Sequence, residues 1–115
     1  MSSEEHPYSL VVERDGIVYV SGAASIDYAT HQPVPGRREA LDAALNAVEE
    51  RLGTVGLDLS HVVKLSYFIT DLSLRKEAND QIIERFSAPR PARTTVQVSG
   101  IPYGAVAAIE AIAHR

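Results

Sequence analysis

The run HVVKLSYFIT, residues 61–70, alternates Val63, Leu65, Tyr67 and Ile69 with Lys64, Ser66, Phe68 and Thr70. A period of two is the mark of a strand whose faces meet different surroundings, because successive side chains point to opposite sides of the pleat. It is the most strand-like run in the chain, and helical patterns flank it on both sides. Upstream, residues 37–52 carry Leu41, Leu45, Val48 and Leu52 as one stripe of an amphipathic helix. Ala40, Ala44 and Ala47 widen that stripe, and Gly53 is placed to stop it. Downstream, Ser73 is placed to cap a second helix with the stripe Leu74, Ala78, Ile82 and Phe86, ending before the proline-containing SAPRPA.

Outward from this centre the pattern is β-rich. Residues 9–13 and 17–21 are strand-like runs around Arg14-Asp15-Gly16, and Asp-Gly between such runs signals a hairpin because both residues tolerate positive φ. Residues 22–36, GAASIDYATHQPVPG, hold small residues and two prolines with no sustained period, and read as a loop long enough to be functional. Two more strands, residues 93–99 and 106–114, flank Ile101-Pro102-Tyr103-Gly104. The order ββαβαββ predicts one domain over residues 1–115, an α+β two-layer sandwich with both helices on one face of a single sheet. The uncovered face is expected to include Thr95, Gln97, Ser99, Ala108 and Glu110, with Val62, Lys64 and Phe68. That mixture suits self-association better than plain solvent.

Composition narrows the function. A net charge of -4 in 115 residues, with 23% charged and 45% hydrophobic, describes a mildly acidic globule with no broad basic face, so nucleic acid is not the expected partner. Absence of cysteine excludes a disulfide framework, thiolate nucleophiles and thiolate metal sites. His6, His31, His61 and His114 lack metal-ligand spacing, so no metal is expected. The polar, acidic start has no leader-like apolar run and no stretch is long enough to span a bilayer. A cytoplasmic protein with no membrane partner is expected.

One residue stands out. In RPARTTVQVSG, residues 90–100, Arg93 shares a strand face with Thr95, Gln97 and Ser99, a single charge among hydroxyls and an amide. A guanidinium stays charged at physiological pH and pairs bidentately with carboxylate, so Arg93 is the candidate anion-binding residue.

The segments PYS (7–9), VSG (20–22), VVKLSYFITDLS (62–73), AND (78–80), PARTTVQV (91–98) and IEAIA (109–113), in this order and spacing, resemble the RidA/YjgF family of reactive-intermediate deaminases along nearly the whole chain. The resemblance implies a chorismate-mutase-like fold assembled as a homotrimer with ligand sites between subunits. It implies hydrolysis of enamines and imines such as 2-aminoacrylate or 2-iminobutyrate to 2-keto acids and ammonia, with no cofactor. Residue by residue, it implies that Arg93 binds the substrate carboxylate and that Tyr8, Ser21, Gly22, Asn79 and Thr95 line the site. Thr95 stands where many relatives have cysteine, and Ala23 where glutamine is common.

The departure with chemical weight is at Ala108, where the family's deaminase branch carries the glutamate that orients the attacking water. Glu110 lies two residues along the same strand face, roughly 6.6 Å away, and is a candidate replacement together with His31 of the long loop. Two other readings follow from Ala108: a non-catalytic binder of small carboxylates, and a pathway-specific enzyme for a larger enamine whose pocket is shaped by residues 22–24.

Overall fold

The structure is a computed structural model that describes residues 6–115; the remaining five residues of the acidic start lie outside it. Nine elements matter for the site: β1 (Val11–Arg14), β2 (Ile17–Ala24), β3 (Ile26–Asp27), β4 (Gln32–Pro33), α1 (Arg37–Gly53), β5 (Val62–Ile69), α2 (Arg75–Arg85), β6 (Ala92–Gln97) and β7 (Ala107–His114). Five strands form one sheet in the order β1-β2-β7-β5-β6. The pair β5–β6 is parallel, while β5–β7, β2–β7 and β1–β2 are antiparallel. The parallel pair needs a crossover, and α2 supplies it.

Both helices cover one face of the sheet, as the periodicities predict. Leu41, Leu45, Val48 and Leu52 of α1 and Ala78 and Ile82 of α2 share one core with Val18, Val20, Leu65, Tyr67, Ile69, Ile109, Ala111 and Ala113. The alanines of β7 let α1 approach its central strand closely. Ion pairs tie the outer sides of the helices: Arg37 Nε to Glu77 at 2.7 Å, Arg38 Nη2 to Glu84 at 3.0 Å and Arg85 Nη2 to Glu49 at 3.2 Å.

Four details depart from the sequence reading. The long loop is largely structured: β2 runs on to Ala24, and β3 and β4 make a small hairpin. A register shift between Val20 and Ala23 disguises the continuation, because a bulge breaks the period of two. Buried Ser25 then stitches the region together, its N–H donating to Ala107 O at 2.8 Å and its hydroxyl accepting from Ala107 N at 3.2 Å. Second, Asp71 rather than Ser73 caps the chain's entry to α2, accepting from Ser73 N at 2.8 Å at the start of a 3₁₀ turn, Leu72–Leu74.

The third difference concerns which side of the sheet β6 shows. Arg93, Thr95 and Gln97 are in register with Leu65, Tyr67 and Ile69, so they point to the helix side at the sheet's edge. The grouping by period two is correct and the face assigned to Thr95 and Gln97 is reversed. An edge strand covered only along one margin keeps polar residues on its inner side, which hides the direction of burial from the sequence. Gln97 Oε1 accepts from Leu72 N at 3.0 Å, tying the edge to the entrance of α2. Fourth, a bulge between Val62 and Lys64 turns Val62 into the core and Val63 outward. The open face therefore carries Tyr19, Lys64, Ser66, Phe68, Thr94, Val96, Ala108, Glu110 and Ile112.

Candidate functional site

Of the residues singled out in the sequence, Arg93, Asn79, Tyr8, Gly22, His31 and Ala108 fall into two clefts, whereas Ser21, Thr95 and Glu110 line neither. One, at the β6 edge, is a cleft of ≈ 420 Å³ lined by Asn79, Ile82, Ile83, Pro91 and Arg93. The other, of ≈ 520 Å³, is lined by Tyr8, Gly22, Ala24, Tyr28, His31, Arg51, Tyr103 and Ala108 among others. Arg93 faces the helix side through its register with Leu65, whereas Ala108 and Glu110 pair with Phe68 and Ser66 on the open face. A single copy thus keeps Arg93 and Ala108 on opposite sides of its sheet.

Arg93 is half-buried at the second position of β6. Its guanidinium carbon lies 5.5 Å from the centroid of the Tyr67 ring, a cation–π contact worth roughly 0.5–2 kcal/mol. Among the described residues it makes no ion pair and no side-chain hydrogen bond, unlike Arg37, Arg38, Arg85 and Arg115, which all meet carboxylates. The platform beneath it is buried and hydrogen-bonded. Tyr67 is fully buried and donates its hydroxyl to Gln81 Oε1 at 2.6 Å; buried Gln81 donates to Asp42 Oδ1 at 2.9 Å; Asp42 also accepts from Arg38 Nε at 3.0 Å. Burial pushes the Tyr67 phenol well up, opposed by the positive charges of Arg93, Arg38 and Arg85, so the hydroxyl remains a donor.

Asn79 is exposed on α2 beside Arg93, and no side-chain hydrogen bond engages it among the described residues. The structure therefore leaves its amide available to the cleft rather than tied into the core. Thr95, next but one to Arg93 on the same face, has a buried hydroxyl with no hydrogen-bond partner. Buried hydroxyls are normally paired, so this one marks the spot as incomplete.

In the second cleft, Tyr8 is 53% exposed and offers its ring to solvent. Ser21 is committed to structure: its hydroxyl donates to Ser9 O at 2.6 Å and its carbonyl accepts from Arg51 Nη1 at 2.9 Å. It holds the Tyr8 segment against β2 and does not itself line the cleft. Gly22 sits in the bulge and lines it, with nothing within 4 Å of where a Cβ would stand. Arg51 also lies over the Tyr28 ring, 5.4 Å from its centroid. Sequence reasoning missed Arg51, which the helical pattern presents as one charge on a solvated face, and missed the clustering of Tyr28 and Tyr103. Glu110 is exposed two residues from Ala108 and lines neither cleft.

Neither cleft contains a carboxylate. Among the described residues no three His, Asp or Glu side chains gather as a metal site, and no helix is long and apolar enough to cross a membrane.

Comparison with known proteins gives a consistent picture. Residues 2–115 match the family described as Endoribonuclease L-PSP. A 2-iminobutanoate/2-iminopropanoate deaminase of Bos taurus is 37% identical over 108 residues, covering 93% of this chain and 79% of that protein. The crystal structure of RidA from the Antarctic bacterium Psychrobacter sp. PAMC 21119 superposes with a TM-score of 0.89 at 31% identity, covering 96% of this chain and 89% of that one. TdcF of E. coli with bound serine superposes with a TM-score of 0.82 at 26% identity, covering 96% and 89%.

Proposed function

The chain belongs to the endoribonuclease L-PSP family, which includes the RidA/YjgF proteins, and from that premise we propose that it hydrolyses small enamine and imine carboxylates to 2-keto acids and ammonia. The observation that carries the reading is Arg93: a guanidinium held over a buried ring, beside an open cleft, with no carboxylate of its own among the described residues. A substrate carboxylate completes it by bidentate hydrogen bonding, with the Asn79 amide beside it. The serine bound to TdcF is an amino acid of the same size class, which supports a small α-carboxylate as ligand.

Because Arg93 and Ala108 lie on opposite faces of one copy, the two clefts in this reading complete each other between copies. We assign the site to an interface in which Arg93 of one copy faces the Tyr8, Gly22 and Ala108 cleft of the next, in a homotrimer joined through the open sheet face. That face has the composition for it, with Tyr19 and Val96 exposed among Ser66, Thr94 and the Lys64–Thr94 hydrogen bond of 2.8 Å. In the reaction, water adds to the C=N carbon, and the double-bond pair moves to nitrogen and takes up a proton. The C–N bond of the resulting carbinolamine breaks as its hydroxyl proton passes to nitrogen and the C=O bond forms, releasing ammonia. Arg93 fixes the carboxylate, so attack becomes effectively intramolecular.

The test follows freshly generated 2-iminobutyrate and 2-iminopropionate with and without protein, beside Arg93→Ala. Acceleration that the variant loses supports the proposal. A second reading, a carboxylate binder without turnover, is favoured by the lack of any carboxylate in either cleft. Keto-acid binding without acceleration would decide for it and against the deaminase.

A further inference from the structure

We propose that His31 is the proton-transfer residue of the site, acting on the water that attacks a substrate whose carboxylate is held by Arg93 of a neighbouring copy. This inference rests on the deaminase reading above. Imine hydrolysis is speeded by a positioned group that takes a proton as water attacks and returns one as the amine leaves. The cleft that holds Ala108 supplies no carboxylate for this; its titratable side chains are His6, Tyr8, Tyr28, His31, Arg51 and Tyr103. Of these types only imidazole exchanges a proton readily near neutrality.

Geometry selects His31. Its backbone is in the left-handed region, φ 61°, at the end of the β3–β4 turn. Asp27 holds it there, accepting from His31 N through its carbonyl at 2.7 Å and from Ala29 N through its side chain at 2.8 Å. The imidazole stacks on Tyr103 with centroids 5.0 Å apart and planes 20° apart, and Tyr103 is itself left-handed at φ 66°. Glycine would take either position without strain, so two side chains in uncommon conformations meeting at one cleft is a feature that turn formation does not require. Among the described residues the other non-glycine residue of this kind, Asp15, belongs to the Asp-Gly hairpin turn. His6, by contrast, contacts Tyr8 at 5.2 Å from a segment without regular structure. Glu110 is outside the cleft.

In the step assigned to it, His31 accepts a proton from water as the C–O bond forms and the C=N pair moves to nitrogen. The imidazolium returns that proton to the nitrogen to give the carbinolamine. A second relay through His31 carries the hydroxyl proton to nitrogen as the C=O bond forms and the C–N bond breaks, so the keto acid and ammonia result, the protein ends unchanged and water is the only co-reactant.

The experiment measures steady-state hydrolysis of 2-iminobutyrate and, separately, 2-ketobutyrate binding by calorimetry. The variants are His31→Asn, His31→Gly, and His31→Asn combined with Ala108→Glu, with Glu110→Gln and His6→Ala beside them. Asparagine and glycine both accept the left-handed backbone, so the turn is kept. The expected result is a kcat lowered about 100-fold or more in both single variants, with keto-acid affinity within a few-fold of wild type and part of the rate restored by Ala108→Glu. An unchanged kcat in His31→Asn, including the case where Glu110→Gln or His6→Ala is the variant that fails, overturns the role of His31 and leaves the deaminase reading standing. Parallel loss of binding and turnover in both single variants also overturns it, since that is the signature of a structural residue. No turnover by the wild-type protein overturns the deaminase reading and this inference with it.

Discussion

Replacing Tyr67 by phenylalanine removes one hydroxyl from the platform under Arg93 and leaves the aromatic ring in place. In the native chain that hydroxyl donates to Gln81 Oε1 at 2.6 Å, and Gln81 is completely buried. The variant strands the amide oxygen without water or partner, at a cost of about 1–3 kcal/mol. Gln81→Met strands the Tyr67 hydroxyl instead and costs a similar amount, because Asp42 keeps its hydrogen bond from Arg38. In the double variant both partners are apolar, so the second substitution adds little. The expected coupling is about 1–2 kcal/mol, within the range for directly paired buried groups. Urea unfolding of the four proteins at one fixed protein concentration measures it, since the proposed assembly would make apparent stability concentration-dependent. Imine hydrolysis in Tyr67→Phe should stay within a few-fold of wild type, because the ring still sits beneath the guanidinium. If Tyr67→Phe costs the same in the wild-type and Gln81→Met backgrounds to within about 0.5 kcal/mol, the two groups are independent and the platform is not the unit described here.

Arg93→Lys keeps the charge and loses the planar fork, and should weaken 2-ketobutyrate binding roughly 10- to 100-fold by calorimetry, equivalent to about 1.4–2.8 kcal/mol. Glu77 bonds Arg37 across the helices, which lowers its carboxyl from an ordinary 4.5 to about 2. A lowered folded-state value contributes stability above pH 4.5 that is lost as pH falls toward 2. Glu77→Gln should therefore be less stable than wild type at pH 6, converge with it near pH 2, and differ less in high salt. Leu45→Ala empties a fully buried position between α1 and the sheet and should lower unfolding stability by about 2–5 kcal/mol in denaturant titrations.

The sequence by itself determined the elements and their faces wherever burial is one-sided and regular. The alternation through Leu65, Tyr67 and Ile69 and the stripe through Leu41, Leu45, Val48 and Leu52 each have a period that only one secondary structure can bury, and the sheet-plus-two-helices arrangement follows. Arg93 was legible because a lone guanidinium on a strand face is chemically specific, and Tyr8, Gly22, Asn79 and Thr95 were legible only through motif resemblance. Bulges erased the local signal: those at residues 20–23 and 62–64 shift the period by one, hiding the end of β2 and reversing Val62 and Val63. Distance along the chain erased the rest. Tyr67 meets Gln81, Gln81 meets Asp42, Arg51 meets Ser21 and Tyr28, and His31 meets Tyr103 only after the chain has closed on itself. The tertiary structure alone decided that Arg93 looks toward the helices while Ala108 looks away from them, because the side on which a half-polar edge strand buries its residues depends on its neighbours and not on its own pattern.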